Sequence, residues 1–254
     1  MTFFDGVLLG IVEGITEFLP ISSTGHLILT AKLLGLSATE FLKSFEIAIQ
    51  LGAIASVVVL YFRSFLEPEV LKKLFVAFLP TGIIGFLLYK IIKTHFLGNE
   101  QVVLSALLLG GIALIVFELF HKEPPGEDAG ALPTYRQSFL IGCAQAIAVI
   151  PGVSRSGATI LGGLLLGIRR KTIVEFSFLL AVPTMLAATG YDLLKNASSF
   201  STANFEILAV GFATSFIVAL ASIKFLLAFI QKYSFISFGV YRILLALLFW
   251  LVIL

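Results

Sequence analysis

Cysteine, histidine and charge are all scarce in this chain of 254 residues. It has one cysteine, three histidines and 13% charged residues. A lone Cys143 excludes an internal disulfide and any cysteine-rich metal site. Its apolar neighbours predict a packing residue. The net charge of +2 is too small to argue for a nucleic-acid partner, and no basic cluster is interleaved with exposed aromatics. The N-terminus lacks a basic region followed by a cleavage site, and acidic Asp5 stands where basic residues belong, so no removable signal peptide is expected. Low-complexity tracts are missing too. The one substantial hydrophilic stretch, HKEPPGEDAGALPTYR from His121 to Arg136, reads as a solvated connector without chemistry.

Apolar residues fill the space that charge leaves. They make up 59% of the chain, and mean hydropathy is +1.06. No soluble protein of this length has an interior for so many. Several stretches approach the ~20 residues needed to cross ~30 Å of hydrocarbon. The expected fold is an all-α polytopic membrane protein with full spans near 41–62, 72–93, 101–121, 172–194, 206–231 and 236–254.

Two further apolar stretches do not read as clean spans, and they are copies of each other. GIVEGITEFLPISSTGHLILTAKLLG, from Gly10, returns as GCAQAIAVIPGVSRSGATILGGLLLG, from Gly142. At a constant offset Gly10, Ile15, Ser22, Gly25, Ile28, Leu29, Leu33, Leu34 and Gly35 meet identical partners. Each copy is a helical half, a break (LPISSTGH or IPGVSRSG), then a second short half. Proline removes a donor, glycine permits unusual backbone angles, and serine bonds freed backbone groups. Irregular backbone at membrane depth survives only where protein buries it or a wet cavity lines it. Two re-entrant hairpins meeting near the midplane satisfy both conditions.

A hairpin followed by three spans reverses the side of entry, so the halves form an inverted repeat. The expected organisation is a first repeat over 1–121, a connector over 122–136 and a second, inverted repeat over 137–254. Arg63, Lys72, Lys73, Lys122, Arg136, Arg169, Arg170, Lys171 and Lys232 fall on one side. Lys32, Lys43, Lys90, Lys93 and Lys195 fall on the other. The excess makes the first side cytoplasmic, with both termini and the Ser-Ser-Thr-Gly-His hairpin entering from outside.

The copies differ in chemistry: Glu13, Glu17, Ser23 and His26 face Gln145, Val149, Arg155 and Ala158. Glu13 and Glu17, four apart, share a helix face. Intramembrane acids point to function, although a lipid-wetted interfacial pair is the plainer reading. Such a pair can share a divalent cation, or one acid can orient a base while the other handles a proton. Ser22 and Thr24 are either helix caps or anion donors. Ser23 is the better nucleophile, because His26 follows three residues later and Glu17 lies on the preceding helix; direct attack by water, with His26 or Glu17 as base, is the alternative. Arg155 demands an anion, either a phosphate clamped with Ser154, Ser156 and Gly157 or a carboxylate of Glu13 or Glu17. The following helix start adds positive potential.

Inverted repeats bring equivalent loops together, so one composite pocket with parts for phosphoryl transfer is expected. Glu46, Gln50 and Glu175 are supporting or interfacial. His95 and His121 are interfacial, and Asp192, Lys224 and Arg242 near span ends are expected to snorkel. Transport, or flipping of an anionic lipid, is the rival reading for paired broken helices.

EGITEFLPISSTGH together with PGVSRSGATI resembles the bacitracin-resistance type of undecaprenyl-diphosphate phosphatase. FEIAIQLGAI, TYRQSFLIGCAQ, EFSFLLAVP and ISFGVYR extend the resemblance over essentially the whole chain. It implies a membrane hydrolase that removes the terminal phosphate of a polyprenyl diphosphate and regenerates the monophosphate carrier of cell-wall synthesis. The acidic motif falls on Glu13 and Glu17, the serine–histidine loop on Ser22, Ser23, Thr24 and His26, and the phosphate-binding arginine on Arg155. The resemblance also implies dependence on a divalent cation (Mg or Ca), which Glu13 and Glu17 are expected to hold. It further implies residence in the bacterial inner membrane with a site open to the periplasmic face. Ser-Gly-His and Ser-Arg elements occur as well in type 2 phosphatidic acid phosphatases. The single motif histidine, the acidic helix and the repeat set this chain apart from them.

Overall fold

The computed structural model describes residues 1–37, 39–91, 96, 99–122, 132–196 and 205–253. Residues 123–131 of the expected connector, Lys93 and His95 lie outside them, as do the side chains of Lys90, Asp192 and Lys195. The described residues form helices and no strands. In chain order they are α1 (Phe3–Thr16), α2 (Ser23–Leu33), α3 (Glu40–Leu60), α4 (Pro68–Ile91), α5 (Glu100–Phe120), α6 (Tyr135–Ala146), α7 (Arg155–Leu165), α8 (Arg170–Asn196), α9 (Phe205–Ile230) and α10 (Ile236–Ile253). Short 3₁₀ turns, Phe62–Leu66 and Ile147–Val149, precede α4 and follow α6.

Five helices, α3, α4, α5, α8 and α9, are long and apolar enough to cross a membrane. The sixth expected span lies on the shorter apolar stretch Ile236–Leu251 of α10. The chain is a polytopic membrane protein. α4 starts at Pro68, ahead of the expected boundary, because a missing N–H costs nothing in a helix's first turn.

The repeat extends into the backbone. Thr2 and Asp5 form a capping box at the start of α1, and Thr134 and Gln137 form its counterpart at α6. α2 and α7 are both eleven residues long and begin at equivalent positions. Gly35 and Gly167, which end them, both have positive φ (65° and 73°).

Shared glycines mark where the halves interlock. α1 packs against α9, and its counterpart α6 packs against α4. A Cβ on Gly10 would lie 2.7 Å from the Gly211 carbonyl oxygen, and one on Gly142 would run into the backbone of Ala77. α5 and α10 cross at Gly111 and Gly239, where a Cβ on either would stand 2.7 Å from the other's carbonyl oxygen. Small residues let helices approach closely where lipid supplies no hydrophobic drive for association. The main apolar core runs through α3, α4, α8 and α9. There Phe18 packs edge-on against Phe178 with centroids 5.3 Å apart.

Predicted same-side ends gather. Tyr135 donates to Glu69 at 3.1 Å, joining the starts of α6 and α4. Arg170 pairs with Glu118 at 3.1 Å, and the Glu118 carboxylate accepts from the Phe235 amide. Lys32 and Glu100 pair across the ends of α2 and α5. Two expectations fail. Cys143 is exposed, because its face of α6 is turned away from the packed interior. Arg242 does not snorkel; only 1% of it is exposed.

Candidate active site

Both breaks are built the same way. Ser22 (φ 71°) and Ser154 (φ 78°) are the only non-glycine residues with positive φ among those described. Each is an N-cap: Ser22 Oγ accepts from the Gly25 amide at 3.4 Å, and Ser154 Oγ from the Gly157 amide at 3.1 Å. This turns the chain sharply at the mouths of α2 and α7 and aims both helix N-termini at one cavity. First-turn amides lack intrahelical acceptors and carry partial positive charge.

That cavity is about 110 Å³. The first break lines it with Glu17, Ser22, Ser23 and Thr24, and the second with Pro151, Gly152, Ser154 and Arg155; Gln50 completes part of the wall. Three of the expected residues form one chain of hydrogen bonds there. Ser23 Oγ donates to Glu17 Oε2 at 2.5 Å. Arg155 Nη2 donates to Glu17 Oε1 at 2.9 Å. Arg155 Nη1 is fixed by the Ser177 carbonyl at 2.7 Å, and Ser177 Oγ is in turn bonded to Thr159 Oγ1 at 2.6 Å. Arg155 Nε is buried without a partner. The pairing of arginine with Glu17 is one of the two arrangements its sequence left open.

Glu13 lies behind this group, 0% exposed, and neither of its carboxylate oxygens has a hydrogen-bond partner. Its counterpart Gln145 is equally buried, but donates to Thr81 and Thr184. Ser156 Oγ donates to the Leu19 carbonyl at 2.8 Å and is bonded to Ser154 Oγ, joining the two breaks. Ser154, Ser156 and Gly157 thus hold the second turn, while Thr24 faces the cavity.

His26 is not bonded to Ser23. Its Nδ1 donates to the Ser22 carbonyl at 2.8 Å, and the opposite nitrogen, Nε2, lies 2.8 Å from the Tyr241 hydroxyl. Because a carbonyl only accepts, Nδ1 carries the proton, and in the neutral ring Nε2 accepts from tyrosine. The two rings are stacked. The ring therefore braces the first turn against α10, and the carboxylate bonded to Ser23 is that of Glu17.

Arg242, next to Tyr241, is the feature sequence reasoning missed. Its guanidinium donates to five backbone carbonyls: Pro20 in the first break, Gly152 and Val153 in the second, and Ala106 and Leu107 on α5. A buried cation thus satisfies carbonyls that the breaks leave without helical donors. The signal was there in its position within the quoted ISFGVYR segment, but its partners are distant in sequence and carry no side-chain signature.

Fold and site together define a class: an all-α multi-pass membrane protein whose paired broken helices enclose a serine, a carboxylate and an arginine. Residues 6–248 match the family of bacitracin resistance protein BacA, and the chain belongs to that family. It is 55% identical over 252 residues to a protein of Sulfurihydrogenibium sp. and 56% identical over 251 residues to one of Aquifex aeolicus. These alignments cover 99% of both chains in the first pair and 98% of both in the second. A Wolinella succinogenes relative is 50% identical, covering 98% of this chain and 97% of its own. All three bear the name undecaprenyl-diphosphatase.

Proposed function

We propose that this protein is an undecaprenyl-diphosphate phosphatase, hydrolysing the terminal phosphate of the polyprenyl diphosphate and returning the monophosphate carrier to cell-wall synthesis. The observation that carries this reading is the continuous chain Ser23–Glu17–Arg155 at the meeting of two helix N-termini. Bacitracin resistance follows for a cell that lowers its pool of the diphosphate, the family's namesake trait. The reaction takes place in the inner membrane with the site open to the periplasmic face. The excess of Arg and Lys on the opposite loops supports that orientation.

The terminal phosphate sits against Arg155, whose Nε has no acceptor of its own, and against the first-turn amides of α2 and α7. Ser23 Oγ attacks phosphorus as its proton passes to Glu17 Oε2. The bond from phosphorus to the bridging oxygen breaks, and the polyprenyl monophosphate leaves. Glu17 passes that proton to the departing monophosphate. Water then hydrolyses the phosphoserine as Glu17 takes a proton from the water and returns one to Ser23 Oγ, and phosphate leaves. Arg155 keeps its hold on Glu17 Oε1, so Oε2 stays aimed at serine throughout. His26 and Tyr241 keep the turn in place; neither is the base.

A divalent cation fits this site. The unpartnered oxygens of Glu13 are hard donors one helical turn from Glu17. The described residues contain no group of three or more His, Cys, Asp or Glu able to hold a metal, so Glu13 and Glu17 are the residues that would hold it. A bound cation would supply charge neutralisation to the diphosphate.

The test is phosphate release from undecaprenyl diphosphate by detergent-purified protein, with no gradient. Release that disappears in Ser23→Ala supports the reading. No release, with anionic-solute flux in vesicles, replaces it with transport.

A further inference from the structure

A second, larger cavity lies on the far side of the break between α6 and α7. It measures about 800 Å³, and α5, the end of α6 and α7 form its walls. Small residues open it: Ala106, Gly110 and Ala113 along α5, with Ala144, Ala158 and Gly162 opposite. The three on α5 fall at helical spacing, on one face. On α1 a similar stripe, Gly6, Gly10 and Gly14, is filled by α9. On α5 the Arg242 guanidinium fills the space beside Gly110, whereas Ala113 is exposed and borders open volume.

The two cavities share a wall. Ile150 lines both. Beyond it, Gly152, Ser154 and Arg155 face the polar cleft, whereas Val153, Gly157 and Ala158 face the apolar trough. A molecule with an anionic head and a long hydrocarbon tail can therefore place its head at Arg155 and lead its tail over Ile150.

We propose that this trough holds the prenyl units next to the diphosphate, which makes it the chain-selecting part of the site. This inference rests on the function proposed above. Its continuity with the phosphate cleft favours the substrate's own tail over a bilayer acyl chain. Moving a tail from lipid into the trough gains little hydrophobic transfer energy, because lipid is as apolar as the trough. Selection therefore comes from shape, and it reads out as discrimination by chain rather than as general affinity.

Ala113→Phe and Ala158→Leu test this, since both positions are partly open and a larger side chain enters the trough. The readout is the ratio of kcat/KM for undecaprenyl diphosphate to kcat/KM for methyl diphosphate, which carries no prenyl unit. The ratio falls at least about tenfold in each variant, the scale of discrimination that apolar pockets commonly reach. It stays at the wild-type value in Leu119→Phe, an exposed position on α5 outside the trough. An unchanged ratio in both trough variants, as a casual bilayer chain predicts, overturns the proposal. A second readout needs no turnover: a polyprenyl diphosphate with a photoreactive group on its first prenyl units labels residues 101–114 and 144–165. Labelling only elsewhere overturns the proposal. Labelling there by a wild-type protein that releases no phosphate sinks the phosphatase reading and leaves the tail site standing.

Discussion

The two breaks share a backbone and differ in chemistry. Each has a serine in the left-handed region, capping a glycine amide three residues on, at the mouth of an eleven-residue helix. Where the first carries Ser23, the second carries Arg155. Where the first leaves Glu13 without a partner, the second ties Gln145 to Thr81 and Thr184. Val149 replaces Glu17, and Ala158 replaces His26. Duplicated structure thus aims two helix N-termini at one point, and divergence puts nucleophile and base on one side and the anion clamp on the other. On the proposed mechanism the first break performs the chemistry and the second holds what is being cut.

If that division is right, equivalent substitutions have unequal effects on turnover. The largest loss comes in the first break. Ser23→Ala lowers kcat by at least about 10⁴-fold with substrate binding retained, since removing a nucleophile leaves only the clamp and the helix dipoles. Glu17→Gln removes the base and costs about 10²–10⁴-fold. Single-turnover kinetics and equilibrium binding measure both.

Next comes Arg155→Ala in the second break, with a loss of about 10²–10³-fold, the usual scale for removing one electrostatic donor. With Arg155 as the phosphate clamp, its loss also weakens binding of inorganic diphosphate, which Ser23→Ala leaves intact. Arg155→Lys recovers little, because a lysine cannot present the forked donors. Equal binding in the two alanine variants would break the division of labour.

A smaller effect belongs to Glu13. Chelation of divalent cations slows wild-type turnover, and Glu13→Gln loses about 10–100-fold while becoming less responsive to added cation. A Glu13→Gln protein with wild-type cation dependence would remove this residue from the metal's shell.

The smallest effects are the symmetric ones. Ser22→Ala and Ser154→Ala each remove one N-cap and cost about 1 kcal/mol of stability, seen as similar falls in thermal midpoint. Their likeness sharpens the comparison: scaffold substitutions act alike in the two repeats, whereas chemical ones do not. Arg242→Met stands apart, because it leaves the carbonyls of both breaks without their donor. It lowers the midpoint further than either cap and slows turnover on all substrates alike.

Much of this was readable in the sequence because duplication writes the same spacing twice. The serine and glycines repeated in both copies of the motif mark positions where backbone geometry leaves few alternatives, so Ser22, Gly35 and their partners recur with the same φ sign. Glu17, Ser23 and Arg155 stood out as polar residues in apolar surroundings. Which of them touch was not readable. His26 lies three residues from Ser23 and looked like its base, but its ring turns back to the Ser22 carbonyl and across to Tyr241. Arg242 hid for a different reason: its partners are carbonyls, which every residue has. The trough hid because an alanine on α5 looks ordinary in a chain this apolar, until the packing leaves Ala113 bordering open volume.

The central claim is that Ser23, polarised by Glu17, takes the phosphoryl group. Its most direct test is acid quench of purified protein within the first turnover of undecaprenyl diphosphate labelled in its terminal phosphate, followed by peptide mapping. Label is expected on the peptide carrying Ser23, appearing before free phosphate and missing from Ser23→Ala. Free phosphate appearing with no labelled protein at any time, or with label on another residue, would contradict it.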